Sequence, residues 1–517
     1  MNSLSFFLLI FPSIQCLRVL QIVPGFTNSH VLFNYRLAET LRFLGHDVKM
    51  WTQMEMGMLD TGNNRLPEGV EEYRIPIHFK DTLKTEGLKV FQSMMFSAGD
   101  VHDLWWTGQE FKDMRVEACE QMLAHDQKIY DEFKRDGFDV AIAHFHDLCP
   151  LAIAQKMGVD RVIWITHGTS IYDFAAVQMG LRTIPSSIPH PLSSAGLSQD
   201  FLDRVQNTLW HMLLLDFVNL PQNLLYDENE FYKKLIGGDE HEDLWQLSKT
   251  RVICLLINGN RMLDFPRPLP LHIGFAGEMG VAKKSANVDE WLDAIVSRPT
   301  DDGLIVFSLG TVSNTTNMPE QMITSFLGAF SRLPNYTILW RMEKTVKGVE
   351  TLNNVHLVKW LPQNEIMRHP RMKLLIAHGG YNSLLETAQA GIPAVLMPLF
   401  ADQKINAKRA QRFGIATVLD KLNLTPDNVF DAIATALNRR EFRENARKLS
   451  RMLMDSPAAS SSSPRRSFTA LEYSLKLATC RKPQLFTLAA SQRLSFVEFH
   501  NIDWILAILA VFCILSH

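Results

Sequence analysis

Apolar runs of strand length alternate with helical segments in both halves of this 517-residue chain, and this alternation most constrains its fold. In the first half a helix over about 31–44, with apolar residues three to four positions apart, follows the first strand. Strand–helix–strand alternation is typical of a parallel, doubly wound sheet. The strands predicted for this half cover 17–23, 47–52, 138–143 and 162–165.

The same pattern restarts after a Pro-rich stretch at 264–287, the best linker candidate in the chain. We therefore predict two α/β domains, 17–278 and 279–455, that meet at a cleft. A return segment, 456–503, follows them and begins with a Ser/Pro-rich, low-complexity run. A second Pro/Ser-rich stretch, 183–198, is predicted to be a long surface loop. Strands of the second half are predicted over 304–309, 337–340, 355–359, 373–377 and 394–397.

Composition excludes several classes of protein. The chain has 52 basic and 55 acidic residues, so no electrostatic argument supports nucleic-acid binding. Hydrophobic residues make up 46% and charged residues 21%, as in globular proteins. The mean hydropathy of −0.03 excludes a protein with many membrane spans. A sizeable globular protein, most simply an enzyme, remains.

Both ends of the chain are apolar. Residues 6–11 precede small and polar residues up to Cys16, which favours a signal peptide over 1–16, the alternative being a buried first strand. The tail, 504–517, contains twelve apolar residues, or about 18 Å of helix. A bilayer core requires about 30 Å. The tail is thus a short or truncated anchor, an interfacial helix or a packed terminal helix, and its all-round apolar character disfavours the last.

A luminal body would expose its cysteines to an oxidising compartment. Four of the six lie in that body, namely Cys119, Cys149, Cys254 and Cys480. Their spacing matches no metal-binding pattern, and the sequence leaves any pairing open.

The known nucleotide and metal motifs are absent from the sequence. It contains no Gly-x-Gly-x-x-Gly after a strand, no P-loop, no His-Glu-x-x-His and no Cys-x-x-Cys. No Asp-x-Asp ends a strand, which argues against a metal-dependent sugar-nucleotide site. We expect no metal and no cofactor.

Residues 360–403 are the densest in candidate functional groups. The predicted strand 373–377 ends in His378-Gly379-Gly380, where a helix begins, and such a helix N-terminus suits a diphosphate. Trp360 offers a flat face for a base. Glu386 is placed to bind ribose hydroxyls. Asp402 and Gln403 are placed to bind the hydroxyls of a sugar.

This segment resembles the signature of the UDP-glycosyltransferases, and most closely that of the animal (nematode-like) UDP-glucuronosyltransferases. The shared elements, in order, are Trp-x-Pro-Gln-Asn, His-Gly-Gly-x-Asn, Gly-x-Pro and Pro-Leu-Phe-x-Asp-Gln. The resemblance extends upstream to Phe307-Ser-Leu-Gly-Thr311 and Trp340-Arg341, and downstream to Phe499-His-Asn-Ile-Asp503. It implies a GT-B fold, in which two Rossmann-like domains face one cleft.

The resemblance also implies roles for particular residues. The acceptor would bind the first domain and the UDP-hexose the second. Arg341 would line the nucleotide side and Gln363 would hold the uracil near the ribose. The diphosphate would contact the residues after the two central strands, namely Ser308, Gly310, His378, Gly380 and Asn382.

The acceptor hydroxyl needs a base, and neutral histidine suits that role near pH 7. His30 follows the first strand in a Pro-x-x-x-x-Ser-His context similar to that of the family's catalytic histidine. The family places an acid after the strand 138–143, but this chain has His144 there. Asp147 is the nearest acid beyond it. Either Asp147 reaches His30, or His144 changes the dyad, or activity is reduced; a helix N-cap role for Asp147 is an equal alternative.

The resulting hypothesis is inverting transfer of a glucosyl or glucuronosyl group from a UDP-hexose to a small lipophilic alcohol or phenol. The family resemblance places such an enzyme in the secretory pathway, on the luminal face of the endoplasmic reticulum membrane, and is compatible with a homo-oligomer. A catalytically impaired UDP-sugar or lipophile-binding relative is the alternative, because of His144. A dehydrogenase lacks its glycine fingerprint.

Overall fold

The computed structural model contains two parallel β-sheets, one in each half of the chain. Residues 1–15 of the predicted signal peptide, 277–287 of the linker candidate, the low-complexity start of the return segment and the last two residues lie outside the described part of the chain. The structure describes residues 16–25, 28–55, 66–80, 95–97, 101–166, 168, 171, 173–191, 193, 196, 199–213, 226–237, 242–276, 290–297, 302–310, 313–400, 402–455, 469–483 and 487–515.

The first sheet has seven parallel strands in the order β3-β2-β1-β4-β5-β6-β7. Buried clusters cover both of its faces, as a parallel sheet requires. The four strands predicted here are present, and the sequence pattern did not reveal β3, β6 and β7. Its strands are β1 (Arg18–Val23), β2 (Asp47–Glu55), β3 (Glu71–Ile77), β4 (Val140–His144), β5 (Val162–Thr166), β6 (Val252–Ile257) and β7 (Ile273–Phe275).

Helices of the first half pack on this sheet. The first of them, α1, ends where Gly45 adopts φ +87°, a conformation that favours glycine. The helices are α1 (Asn28–Phe43), α2 (Val101–Leu123), α3 (Gln127–Asp136), α4 (Cys149–Lys156), α5 (Asp173–Gln178), α6 (Phe201–Leu213), α7 (Tyr226–Tyr232) and α8 (Leu244–Arg251).

The second sheet repeats the plan with six parallel strands in the order β10-β9-β8-β11-β12-β13. It too is covered on both faces by buried clusters. All five strands predicted for this half are present, and β13 is additional. The strands are β8 (Gly303–Ser308), β9 (Tyr336–Arg341), β10 (Val355–Val358), β11 (Met372–Ala377), β12 (Ala394–Leu396) and β13 (Ala416–Val418).

The helices of the second half show clear local signals. Thr425 and Asn428 form a capping box at the start of α14, and Gly391 ends α12 in the left-handed conformation. The helices are α9 (Glu290–Val296), α10 (Glu320–Phe330), α11 (Gln363–Met367), α12 (Tyr381–Ala390), α13 (Gln403–Arg412), α14 (Pro426–Asn438) and α15 (Arg440–Asp455).

The return segment brings the chain back to the first domain. Leu471, Leu475 and Ala478 of α16 (Thr469–Thr479) are buried in a cluster on one face of the first sheet. The Arg161 guanidinium donates to the carbonyls of Ala478 (2.7 Å) and Cys480 (2.8 Å). The shorter helices α17 (Ala489–Arg493) and α18 (Phe496–Phe499) follow.

The last helix, α19 (Ile502–Leu515), exposes its large side chains along its whole length. Within the described part of the chain, none of the helices combines the length and the hydropathy that a bilayer crossing requires.

One loop prediction is wrong in part. The stretch 183–198 was expected on the surface, but Ile188 to Pro191 are buried. Asn207 of α6 explains this burial, because its side chain donates to the Pro185 (2.6 Å) and Ile188 (2.9 Å) carbonyls. Once these backbone groups are bonded inside the protein, the segment needs no solvent to satisfy them.

Candidate functional site

Strand order changes direction once in each sheet, and ligands of such sheets bind at that point, beyond the carboxyl ends of the strands. In the first sheet the reversal lies between β1 and β4, and in the second between β8 and β11. His30 follows β1, and His144 is the last residue of β4. Gly310 follows β8 and His378 follows β11. The topology therefore brings residues of both predicted half-sites to the two reversal points.

Two glycines enclose the His378 imidazole. A Cβ at Gly310 would lie 2.6 Å from the ring, and a Cβ at Gly380 would lie 2.5 Å from its Nε2. Gly310 also has φ +76°. A Cβ at either position would force the ring or the backbone to move, and the bare backbone on both sides of the ring can approach a ligand closely.

Several buried polar groups around His378 are available to a ligand. Among the described residues, no hydrogen-bond partner meets His378 Nδ1, Asn382 Oδ1 or Arg341 Nε. The helix α12 begins immediately after Gly380 and has no side-chain cap, so its first N–H groups are also available. Helix N-terminal N–H groups and an arginine together suit a negatively charged ligand.

His378 is neutral near pH 7. Burial, together with the nearby Arg341 charge, lowers the pKa of His378 to about 4. The Arg341 guanidinium in turn donates to the Gly310 carbonyl and pairs with Glu343 Oε1 at 2.7 Å. Ser308 Oγ accepts a long bond (3.5 Å) from the Gly310 N–H. Arg341 and Ser308 thus hold the turn that follows β8.

The expected ribose-binding residues contact one another. Gln363 Nε2 donates to Glu386 Oε2 at 2.6 Å. Burial raises the pKa of Glu386 to about 7, and Arg36 of α1 opposes that shift. Arg36 belongs to the first domain, so α1 approaches the nucleotide side of the second. Trp360 lies after β10 with 38% of its surface exposed, so this residue is partly open to solvent.

The expected sugar-binding residues begin α13. Gln403 is 3% exposed, and its Oε1 accepts from the Leu399 (2.7 Å) and Phe400 (3.1 Å) N–H groups. Its oxygen therefore fixes the preceding loop, and its amide nitrogen is the group left for a sugar. Asp402 Oδ2 accepts from Asn406 (3.1 Å) and lies 3.3 Å from where a Cβ would stand on Gly168 of the first domain.

On the acceptor side, His30 lies beside another histidine. The rings of His30 and His144 are nearly parallel (15°), with centroids 6.1 Å apart. Burial lowers the pKa of His30 to about 4. Burial also lowers the pKa of His144, and the proximity of His30 adds to the effect. Both imidazoles are therefore neutral at pH 7, and a neutral imidazole can accept a proton.

An amide network orients His144. Gln21 Nε2 donates to Asn34 Oδ1 at 2.7 Å, so the Asn34 amide nitrogen faces the other way. That nitrogen donates to the His30 carbonyl (2.9 Å) and to His144 Nε2 (3.0 Å). His144 Nε2 also lies 3.3 Å from Asn34 Oδ1, so the Asn34 side chain holds the imidazole at this nitrogen.

Asp147 lies after the reversal point, and its carboxylate faces its own turn. Its Oδ1 accepts from the Cys149 N–H (2.9 Å) at the start of α4. Burial raises the pKa of Asp147 to about 6, against the opposing effect of Arg115. The ring stacked on His30 is that of His144.

Sequence reasoning missed three residues of this region. Asn34 had a signal, because it lies four positions after His30 and hence on the same helix face. Arg36 lies two positions further on, and no sequence signal pointed to it. Tyr381 had none either: its hydroxyl accepts from the Asn260 N–H (2.9 Å) and ties α12 to the end of β6 in the first domain.

Comparison with known proteins identifies the family. The family model described as UDP-glucoronosyl and UDP-glucosyl transferase matches residues 19–515. A Caenorhabditis elegans protein named "Putative UDP-glucuronosyltransferase ugt-60" is 75% identical over 491 residues, 95% of each chain. Mouse UDP-glucuronosyltransferase 1-2 is 30% identical over 358 residues, covering 68% of this chain and 63% of the mouse protein.

Solved structures show the same fold. A UDP-glucosyltransferase from Polygonum tinctorium superposes with a TM-score of 0.59 at 14% identity, over 90% of this chain and 99% of that one. The glycosyltransferase of kitacinnamycin gives the same TM-score at 16% identity, over 89% and 100%. The two parallel sheets, their reversal points and these matches agree: the chain belongs to the UDP-glucuronosyl and UDP-glucosyl transferase family, and it is a glycosyltransferase with the GT-B fold.

Proposed function

We propose that the protein transfers a glucosyl or glucuronosyl group from a UDP-hexose to the hydroxyl of a small lipophilic alcohol or phenol, with inversion at the anomeric carbon. The observation that carries the proposal is the pair of reversal points: one carries a neutral imidazole on His30, and the other carries buried polar groups around His378 that meet no hydrogen-bond partner in the described part of the chain. A base and an anion site at one cleft suit the displacement of a diphosphate by an alcohol.

The reaction requires one proton transfer and one displacement. His30 removes the proton from the acceptor hydroxyl as that oxygen attacks the anomeric carbon. The bond from that carbon to the diphosphate oxygen breaks, and UDP leaves with the electron pair. The N-terminal N–H groups of α12 and the Arg341 guanidinium stabilise the leaving diphosphate. The uracil stacks on Trp360, the Gln363–Glu386 pair binds the ribose, and Asp402 with the Gln403 amide nitrogen binds the hexose.

A second function, UDP-sugar or lipophile binding without efficient transfer, is favoured by one observation. His144 stands where the family's acid would support the base, and Asp147 is bonded to its own turn. A carboxylate would stabilise the imidazolium that forms during transfer, whereas a neutral imidazole does so weakly.

The two functions are separated by product analysis. Purified protein is incubated with UDP-glucose or UDP-glucuronate and a panel of phenols and alcohols, and conjugates are detected by mass. We expect a conjugate with one of the two donors. Binding of UDP-sugar with no conjugate across the panel would instead establish the non-catalytic function.

Substitution of His30 tests the base. We expect His30→Ala to abolish transfer while UDP binding, measured by calorimetry, is retained, because the donor groups lie on the other sheet. His125→Ala is the matched control, since His125 bonds the Tyr73 hydroxyl (2.8 Å) elsewhere on the first domain. Near-normal turnover in His30→Ala would remove His30 from the mechanism.

We further propose a luminal location on the endoplasmic reticulum membrane, with α19 as the segment that contacts the membrane. Its large apolar side chains are exposed along its whole length and favour burial in lipid, and its length of about 21 Å is shorter than the ~30 Å of a bilayer core. The Cys119–Cys149 disulfide suits an oxidising compartment. Deletion of 502–517 should release the protein from flotation with liposomes and leave transfer intact; unchanged flotation would assign membrane contact to another surface.

A further inference from the structure

A buried cluster of metal-binding groups lies in the first domain, apart from the donor residues. It comprises Asp173 of α5, His190 of the Pro/Ser-rich stretch and His211 of α6, all buried. One ligand atom from each lies within 4.8 Å of the others. Nothing in the glycosyl transfer proposed above uses these residues.

The tautomer of His211 is fixed by a carbonyl. Its Nε2 lies 2.9 Å from the Ile188 carbonyl oxygen, which can only accept, so Nε2 carries the proton. The other ring nitrogen, Nδ1, lies 2.7 and 2.9 Å from the two carboxylate oxygens of Asp173. In the neutral tautomer this places a nitrogen lone pair against a carboxylate, and a cation is required between them.

The third group converges on the same point. His190 Nε2 lies 3.5 Å from Asp173 Oδ2. One proton can bridge only two of these three atoms, whereas a metal ion binds all of them. Asp173 Oδ2 lies 2.7 Å from His211 Nδ1 and 3.5 Å from His190 Nε2. These two distances bracket the ~3.3 Å expected between two tetrahedral ligand atoms that each lie about 2.0 Å from zinc.

The site is held in place before any ion binds. Asn207, one turn before His211, accepts from the His190 N–H (2.8 Å) and donates to the Ile188 carbonyl. The His190 ring stacks on Trp210 (10°, centroids 5.7 Å apart). A hydrogen bond from a ligand's second nitrogen to a carbonyl, as His211 makes, is the usual support of a metal-binding histidine.

We propose that Asp173, His190 and His211 bind one Zn²⁺ ion that fastens residues 183–191 to α5 and α6. Two imidazoles and a carboxylate suit zinc, whereas calcium and magnesium prefer oxygen ligands alone. Water supplies the fourth ligand. The ion is structural: α5 follows β5 at the carboxyl edge of the first sheet, and the ion would order that wall of the cleft.

The test is metal content and thermal stability, measured on the full chain purified without a histidine tag from a secretory host. We expect about one zinc per chain by elemental mass spectrometry. Chelation with 1,10-phenanthroline should remove the zinc and lower Tm, and Zn²⁺ but not Mg²⁺ should restore it. These measurements on the wild type stay informative if a variant fails to fold.

Three variants locate the ion. Asp173→Asn, His190→Gln and His211→Gln should each lose zinc and the chelator-dependent shift in Tm, whereas His125→Gln should keep both. Wild-type protein that carries no zinc and whose Tm ignores both chelator and Zn²⁺ would show that a proton alone joins Asp173 to His211. Zinc retained by all three variants would place it elsewhere. Either result overturns the proposal.

Discussion

His30 has another histidine as its neighbour, and this limits its strength as a base. A pKa of about 4 means that His30 is almost fully neutral at pH 7, but it also means that the imidazolium is poorly stabilised once a proton arrives. The Gln21–Asn34–His144 network fixes the geometry of this pair without supplying charge. If His30 is the base as proposed, it is therefore a weak one.

Replacing His144 with an acid should make His30 a stronger base. In His144→Asp we expect the pKa of His30 to rise by about 1–3 units, because an opposite charge favours the imidazolium. Since only neutral His30 accepts a proton, the acid limb of kcat/KM for the acceptor should move from near pH 4 to higher pH. The measurement is a pH profile at saturating UDP-sugar, with His125→Gln as the control. If the acid limb of the His144→Asp variant stays where it is in the wild type, the residue at position 144 does not act on His30.

The glycines around His378 make a second prediction. Gly380→Ala places a Cβ 2.5 Å from His378 Nε2, so the ring or the helix start must move. We expect UDP affinity to fall by roughly tenfold or more, since small displacements in such a site are costly. Gly196→Ala is the control, because its Cβ would meet no atom of the described residues within 4 Å. Calorimetric titration with UDP measures the affinity of both variants. Equal affinities would contradict a role of Gly380 in binding UDP.

At the scale of elements, α2 and α4 are joined covalently. The disulfide Cys119–Cys149 connects the end of α2 to the first residue of α4, 30 positions later, beside the turn that contains Asp147. It thus supports the loop next to the acceptor-side reversal point. The turn and the long helix α2 cannot separate while it is intact.

Its removal should lower stability. We expect Cys149→Ala to lower the free energy of unfolding by about 2–5 kcal/mol, because the unfolded chain gains the freedom that the bridge removes. Dithiothreitol should lower the urea midpoint of wild-type unfolding by a similar amount. The variant itself should be insensitive to dithiothreitol. A wild-type midpoint unchanged by reduction would show that the bridge contributes little.

At the scale of the whole molecule, a buried ion pair joins the two halves. Arg409 of α13 donates to Asp264 Oδ1 at 2.6 Å, and both side chains are 1% exposed. Arg412, on the same helix, donates to the Asp264 (3.0 Å) and Met262 (3.0 Å) carbonyls. The chain after β6 is thereby fixed to the second domain.

Breaking this pair should destabilise the protein strongly. Asp264→Ala leaves the Arg409 charge buried without its carboxylate, and we expect a loss of about 3–5 kcal/mol in the free energy of unfolding. Asp427→Ala breaks the exposed pair with Arg332 and should cost less than about 1 kcal/mol. Equal midpoints for the two variants in urea would contradict the ranking.

The sequence allowed prediction of those features that depend on local pattern. Alternation of apolar runs predicted two parallel sheets, and the order of motifs in 360–403 predicted the family. It could not reveal Asp264 with Arg409, Tyr381 with Asn260, or His144 against His30. Those contacts join residues about 110 or more positions apart, and their partners are set by how the sheets and domains pack.

The return of α16 to the first sheet has a mechanical consequence. The covalent chain passes between the domains twice, once after β7 and once after α15. Because the chain is linear, cutting it after α15 should leave the two sheets joined through the passage after β7, whereas cutting it after β7 should leave the first sheet held to the rest by packing such as that of α16 and by no covalent link.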